Sequence, residues 1–254
     1  MMPNNTIDSI NRAISLLREA KRVVVLTGAG ISVDSGIPAF RGSQGLWEHY
    51  DPQEYAHIDA FIANPGKVWR MLAEMLEVVF QARPNPAHQA LADLETNGCL
   101  HSIITQNVDG LHQAAGSKKV IEFHGNTRRL ICLSCGNQQK IKSSGDFSIP
   151  PLCPDCQAVM KPDVVFFGEA IPETAQNNAA VAATQADVML VIGTSAVVYP
   201  VADLPLVTKR NGGKIIEINL EPSPLSKKIS DLVIFDSASV VLPALVSGLR
   251  EVNS

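Results

Sequence analysis

Short β-branched apolar runs punctuate the chain at residues 22–26, 101–105, 119–123, 188–192, 214–219 and 232–235. They carry Val and Ile without polar alternation, the pattern of strands covered on both faces. Helical periodicity fills the gaps between them. Ile7, Ile10, Ile14 and Leu17 recur at helical spacing, with Thr6 placed to cap that helix. Asn85-Pro86 sets a capping side chain before a proline at the first helical position, and Asn97-Gly98 supplies the stop. A last helix spans 238–250, where Pro243 should disturb the first turns.

This alternation predicts an α/β fold, a doubly wound and mostly parallel Rossmann-like sheet. Two stretches interrupt it. Residues 42–83 read as an insertion, loop first and helix later. Residues 126–160 carry paired cysteines between turn signals at Ser143-Ser144-Gly145 and Pro150-Pro151. The expected division is a larger domain of 1–41, 84–125 and 161–254, and a smaller one of 42–83 and 126–160. No internal repeat or low-complexity segment is evident.

Hydrophobic residues make up 46% of the 254 and charged residues 18%, which fits a globular chain and argues against disorder. A formal charge of −4 gives no global pull toward nucleic acid or anionic membrane. No apolar run approaches the roughly 20 residues needed to span a bilayer, and the start of the chain has no apolar signal core. The expectation is a cytoplasmic protein with no membrane partner and no direct nucleic-acid binding.

The five cysteines sharpen the picture. Cys132-Leu133-Ser134-Cys135 and Cys153-Pro154-Asp155-Cys156 are two CxxC knuckles with 17 residues between them. Knuckles at this distance can gather four thiolates in a tetrahedron around one Zn²⁺. All four positions are then filled by protein, so the zinc is expected to be structural; four unrelated reduced thiols are the alternative. Cys99, just before a strand, reads as a buried small hydrophobe.

The first strand runs into Thr27-Gly28-Ala29-Gly30-Ile31-Ser32. Strand, Gly-x-Gly and helix start form a phosphate-binding arrangement, because glycine allows close backbone approach and helix-start amides receive anions. Alone, the turn serves equally as a plain tight turn. Val33 breaks the GxGxxG fingerprint, and the acidic residue expected about 20 positions later is not evident. A dehydrogenase, which would need that fingerprint, is disfavoured.

Gly28-Ala29-Gly30-Ile31-Ser32 through Gly36-Ile37-Pro38-Ala39-Phe40-Arg41 closely resembles the opening signature of the sirtuins. Further matches follow in order: Thr105-Gln106-Asn107-Val108-Asp109-Gly110-Leu111-His112, Phe123-His124-Gly125, the four cysteines, Lys161-Pro162-Asp163-Val164-Val165-Phe166-Phe167-Gly168-Glu169, Gly193-Thr194-Ser195 with Val198-Tyr199-Pro200, and Ile218-Asn219-Leu220-Glu221. The resemblance spans roughly residues 23–245.

It implies an NAD-dependent protein-lysine deacylase that turns acyl-lysine and NAD into free lysine, nicotinamide and O-acyl-ADP-ribose. Loss of nicotinamide leaves a cation-like ribose carbon for the acyl oxygen to attack, and a base must then activate a ribose hydroxyl. His124 suits that base, since imidazole titrates near neutral pH; His49, His57, His88 and His101 read as packed or surface side chains. Asn107 and Asp109 offer an amide and a carboxylate to the carboxamide of nicotinamide, with helix capping as their alternative role. Gln106 would reach a ribose hydroxyl. By the same analogy Gly28, Ala29, Gly30, Ser32, Ile37, Phe40 and Arg41 belong to the cofactor site. Gly193, Thr194 and Ser195 would face the phosphates, Asn219 the adenosine ribose, and Ser237 and Ala238 the adenine.

The acyl-lysine peptide is expected to add as a strand between Phe167-Gly168-Glu169 and Val198-Tyr199, with Val165 and Phe167 walling the lysine tunnel. A sirtuin subgroup that removes acidic acyl groups has Tyr and Arg three and six residues after a Trp. After Trp69 this chain has Leu72 and Met75 instead, which implies a preference for acetyl or other neutral, apolar acyl groups. An ordinary amphipathic helix face explains the same residues. ADP-ribosyl transfer to a protein is the alternative activity, and a non-enzymatic zinc-ribbon module is disfavoured.

Overall fold

The computed structural model describes residues 4–40, 45–143 and 145–250. Helix α1 (Asn4–Glu19) leads into strand β1 (Val23–Thr27), a 3₁₀ helix (Ala29–Ser35), α2 (Pro52–Tyr55), α3 (Ile58–Ala63), α4 (Pro65–Gln81) and α5 (Pro86–Thr96). Next come β2 (Ser102–Thr105), α6 (Leu111–Ala114), β3 (Val120–Glu122), β4 (Gly125–Cys132), β5 (Gln138–Lys140) and β6 (Met160–Val164). The chain continues as α7 (Glu173–Gln185), β7 (Val188–Ile192), α8 (Leu204–Arg210), β8 (Lys214–Asn219), β9 (Leu232–Phe235) and α9 (Ala238–Arg250).

Six strands pair in parallel in the order β3-β2-β1-β7-β8-β9. Counted within the sheet this is 3-2-1-4-5-6, the doubly wound Rossmann order, whose direction reverses between β1 and β7. The unalternating apolar runs are explained by burial on two faces. Val23 and Val25 join one apolar cluster with α1, α5 and α9, whereas Val24 and Leu26 join another with α7 and α8. Each fully buried Val or Leu contributes about 1.5–3 kcal/mol relative to exposure.

A second, antiparallel sheet has the order β5-β4-β6. Its strand β6 runs to Val164, past the expected boundary at residue 160. A third apolar cluster packs α3 and α4 against this sheet around Trp69, Leu72, Leu130 and Met160. The Trp69 indole N–H donates to the Met160 carbonyl at 2.8 Å.

Three local expectations are corrected. Helix α1 already begins at Asn4, so Thr6 lies inside it and does not cap it. Pro243 sits within a continuous α9; its neighbours Val241, Leu242 and Leu245 are fully buried, and that packing holds the helix through the lost bond. Cys99 is exposed, because it follows the left-handed Gly98 in the turn out of α5 and precedes the strand core. The Asn85 cap is as expected: its side chain accepts from Ala87 and His88 N–H, and Asn85 N–H donates to His88 Nδ1. Among the described residues no helix is long and apolar enough to cross a membrane.

Candidate active site

The tips of β1 and β7 meet where the sheet reverses direction. Gly28 N–H donates to Ile192 C=O at 3.0 Å and Gly30 N–H to Gly193 C=O at 2.8 Å. A Cβ on Gly30 would lie 2.7 Å from Gly193 Cα, and one on Gly193, whose φ is +58°, 2.5 Å from Ile31 N. Only glycine fits either position. Buried Thr194 closes this crossing: its Oγ1 accepts from Gln106 Nε2 at 3.0 Å and from Ala196 N–H at 3.1 Å. Ser195 is exposed beside it. Asn219 Nδ2 donates to Thr194 C=O and to buried Glu217, both at 3.0 Å. Ser237 Oγ donates to Asp34 at 2.8 Å, tying the turn before Ala238 to the 3₁₀ helix.

Behind the glycines lies a linked trio. Asn107 Nδ2 donates to Gly28 C=O and to Ser32 Oγ, both at 3.1 Å, and Ser32 Oγ donates to Asp109 Oδ2 at 2.8 Å. Asp109 Oδ1 accepts from Leu111 N–H at 2.8 Å, so the carboxylate holds the first amide of α6, whose N-cap is Gly110, and faces Ser32 at once. Burial pushes the Asp109 carboxyl above its ordinary value, against the bonds from Leu111 and Ser32 and the charge of Arg128. The trio walls a cavity of about 200 Å³ that is otherwise largely apolar, lined by Ala29, Ile37, Phe40, Leu46, Met71, Met75, Val78 and Val79 among others. Phe40 stacks on Trp47 with ring centroids 5.3 Å apart. Arg41 lies outside the described residues.

His124 stands just past the end of β3, beside the loop after β2 that carries Gln106 and Asn107. Its Nδ1 lies 3.2 Å from the Gln106 carbonyl, which can only accept, so the proton sits on Nδ1 and Nε2 keeps a lone pair. Burial holds the imidazole below its ordinary value, opposed by the bond to Gln106.

The His124 carbonyl accepts from Val165 N–H at 2.9 Å, which joins the histidine to the segment after β6. Phe167 is paired on both sides: its N–H donates to Ala56 C=O at 2.8 Å and its C=O accepts from Ile58 N–H at 3.0 Å. Opposite in the expected peptide cleft, Tyr199 is exposed, while Val198 packs on the second apolar cluster. Met75 lines the cavity, but Leu72 does not. It is buried with Trp69 and Leu130, because it faces the small sheet on the other side of α4.

The four paired-knuckle cysteines converge. Their sulfurs all lie within 4.8 Å of one another, with Cys132 to Cys156 and Cys135 to Cys153 each at 3.5 Å. A tetrahedron of thiolates at 2.3 Å from zinc has edges of about 3.8 Å, so the donor set fits that ion. Backbone N–H groups of Cys135 and Ser134 hold the Cys132 thiol below its ordinary value.

Nothing local in the chain signals the network beneath the trio. Thr27 and Thr105 pair across β1 and β2, and Thr27 Oγ1 donates to Thr105 Oγ1 at 2.8 Å. His112 Nε2 lies 3.0 Å from Thr27 Oγ1, and Thr105 Oγ1 accepts from Asn107 N–H at 3.0 Å. Tyr50 and Glu74, joined at 2.7 Å, complete the cavity rim. Strand register brings Thr27 and Thr105 together, whereas His112 comes from α6 and Glu74 from α4.

The Sir2 family profile matches residues 28–200. The chain is 46% identical over 235 residues to the NAD-dependent protein deacylase 2 of Pyrobaculum aerophilum, covering 92% of this chain and 94% of that protein. It is 45% identical over 249 residues to the NAD-dependent protein deacylase of Thermococcus kodakarensis, with 96% of each covered. A crystal structure of a Sir2 homologue–NAD complex superposes with a TM-score of 0.90 at 46% identity, over 96% of this chain and 95% of the other. A Sir2–p53 peptide–NAD⁺ structure gives 0.85 at 40% identity, over 96% and 98%. With these likenesses spanning nearly its whole length, the chain belongs to the Sir2 family.

Proposed function

We infer that this protein is an NAD-dependent protein-lysine deacylase, releasing free lysine, nicotinamide and O-acyl-ADP-ribose. The observation that carries this is the placing of His124, with its lone pair on Nε2, on the strand tip next to the Ser32–Asn107–Asp109 trio and its apolar cavity. NAD supplies an activated ribose carbon once nicotinamide departs. His124 Nε2 takes the proton of a ribose hydroxyl, and the Gln106 carbonyl holds the ring in the tautomer this requires.

Asn107 and Asp109 read the carboxamide of nicotinamide, with Ser32 fixing both. Ala29, Ile37 and Phe40 exclude water at that end, and Arg41 steadies the loop. Gly28, Gly30 and Gly193 let the backbone approach the phosphates, where Thr194 and Ser195 also lie. Gln106 and Asn219 hold the two riboses, and Ser237 and Ala238 the adenine. The acyl-lysine strand enters between Phe167-Gly168-Glu169 and Val198-Tyr199, along Val165. Met75, with the rest of the apolar cavity, favours acetyl and other neutral acyl groups.

Cys132, Cys135, Cys153 and Cys156 hold one structural zinc, which braces the small sheet. The domain division at residues 42–83 and 126–160 is supported by that sheet's own apolar cluster. Free thiols suit a reducing, cytoplasmic setting, and the partners are acyl-lysine proteins.

ADP-ribosyl transfer to a protein is the competing activity. Incubating acyl-lysine peptides with NAD, and measuring nicotinamide, acyl loss and ADP-ribose gain, separates the two. Nicotinamide release matched by deacylation, lost in His124→Ala with folding retained, is the expected result. ADP-ribosylation without deacylation would overturn the reading.

A further inference from the structure

The segment on which the substrate strand is placed is held by side chains and turns. Phe166 N–H donates to Glu169 Oε2 at 2.7 Å, and Phe166 C=O accepts from Glu169 N–H at 3.0 Å. Phe167 is tied to Ala56 and Ile58, and Val165 N–H to His124. Among the described residues, the Val165 carbonyl and both backbone groups of Gly168 have no hydrogen-bond partner. Backbone polar groups seek partners when covered, so these three, with the Glu169 carbonyl that likewise has none, are available to an incoming strand.

At the root of the segment is a buried cation. Lys161 is 3% exposed, far below what a lysine accepts without compensation. Its ammonium donates to the carbonyls of Val164 at 2.6 Å and Pro162 at 3.2 Å, and lies 3.0 Å from Glu169 Oε2. It also sits 4.7 Å from the centre of the Phe166 ring. Lys161 belongs to β6 and pairs with Ile131 of β4, so it joins the end of the small sheet to the far side of the turn.

We propose that Lys161 is a positioning residue for the acyl-lysine strand: its buried ammonium fixes Glu169 and the Val164 carbonyl, and so aims the unpaired Val165 and Gly168 backbone groups at the substrate. The proposal rests on the deacylase reading. It places the effect on peptide binding and not on NAD, because the glycine crossing and the trio contact neither Lys161 nor Glu169.

The test uses the zinc-loaded full chain, with an acetyl-lysine peptide and NAD varied separately. Lys161→Met keeps the length and removes the charge, Glu169→Gln keeps the acceptor for Phe166 and removes the ion pair, and Lys161→Arg restores a cation. Methionine and glutamine variants are expected to raise peptide KM by about tenfold or more, with NAD KM moving less than about twofold, and arginine to recover most of the loss. Should Lys161→Met fail to fold, Glu169→Gln carries the test alone. Unchanged peptide KM in Glu169→Gln, or peptide and NAD KM rising together, overturns the role of Lys161 while leaving deacylation standing. An inactive wild type defeats the deacylase reading first and takes this proposal with it.

Discussion

Ser32 Oγ donates to Asp109 Oδ2 at 2.8 Å while accepting from Asn107 Nδ2 at 3.1 Å, so one hydroxyl sets both Asn107 and Asp109. A hydrogen bond to a charged acceptor contributes about 1.5–3 kcal/mol. Ser32→Ala is therefore expected to lower kcat/KM for NAD by about 10- to 100-fold and to lower Tm by several degrees. Steady-state nicotinamide release checks it; an unchanged kcat/KM would show that the trio needs no such link.

His124 must be neutral to accept a proton. Burial holds its pKa below the ordinary 6.5, so activity is full at neutral pH and falls only when the medium becomes more acidic than free imidazole would tolerate. The acid limb of the kcat/KM profile should lie below 6.5, and His124→Ala should lose about 10²- to 10⁴-fold. An acid limb above that value would point to another base.

Two further histidines govern stability. His88 and His112 are fully buried with ring centroids 5.0 Å apart, and burial depresses them to about 4 and about 3 from 6.5. Both are neutral in the fold. A depressed pKa contributes stability that is fully present above 6.5 and lost as pH falls toward 4 and then 3. By about pH 5 each should have cost about 2 kcal/mol. Urea midpoints measured from neutral pH downward should drop across this window, and a flat series would contradict the burial argument.

Zinc removal should act locally first. Structural zinc contributes about 10–16 kcal/mol in small peptides. Cys132 pairs with Met160, whose carbonyl accepts the Trp69 indole N–H, so Trp69 lies one contact from the site. A chelator, or Cys153→Ala, should release one zinc per chain and shift tryptophan fluorescence before the parallel sheet melts. Retention of the fluorescence in metal-free protein would count against a structural ion.

Among the described residues, no Lys or Arg lines the cavity, whereas Glu74 and Asp109 do. An acyl group ending in a carboxylate would be left unpaired there. Succinyl-lysine peptide is expected to be turned over about a hundredfold less efficiently than acetyl-lysine peptide, a difference of about 2.7 kcal/mol. Comparable kcat/KM for the two would refute the preference.

What the chain discloses before folding depends on the range of each contact. Strands 188–192, 214–219 and 232–235 are legible to the residue, because each centres on consecutive β-branched apolar residues that the sheet buries. The knuckle spacing discloses the thiolate cluster for the same local reason. The double duty of Asp109 is half legible: its bond to Leu111 is local, but Ser32 lies 77 residues away. The Thr27–Thr105–His112 chain depends on the register of β1 with β2 and on where α6 packs, neither of which is local. Leu72 misleads because α4 is buried on two sides, toward the cavity and toward the small sheet, and a helical period does not say which side is which.

With Phe167 already spoken for by Ala56 and Ile58, the docking rail offers only a short, interrupted grip. Such a grip reads shape over barely one pleat of an incoming chain, and it demands that the chain be extended there. Modified lysines in frayed tails and loop tips should therefore be processed ahead of those in stable helices, which would first have to unwind. The choice of target would then reflect how readily a protein lends its backbone, more than which side chains flank the lysine.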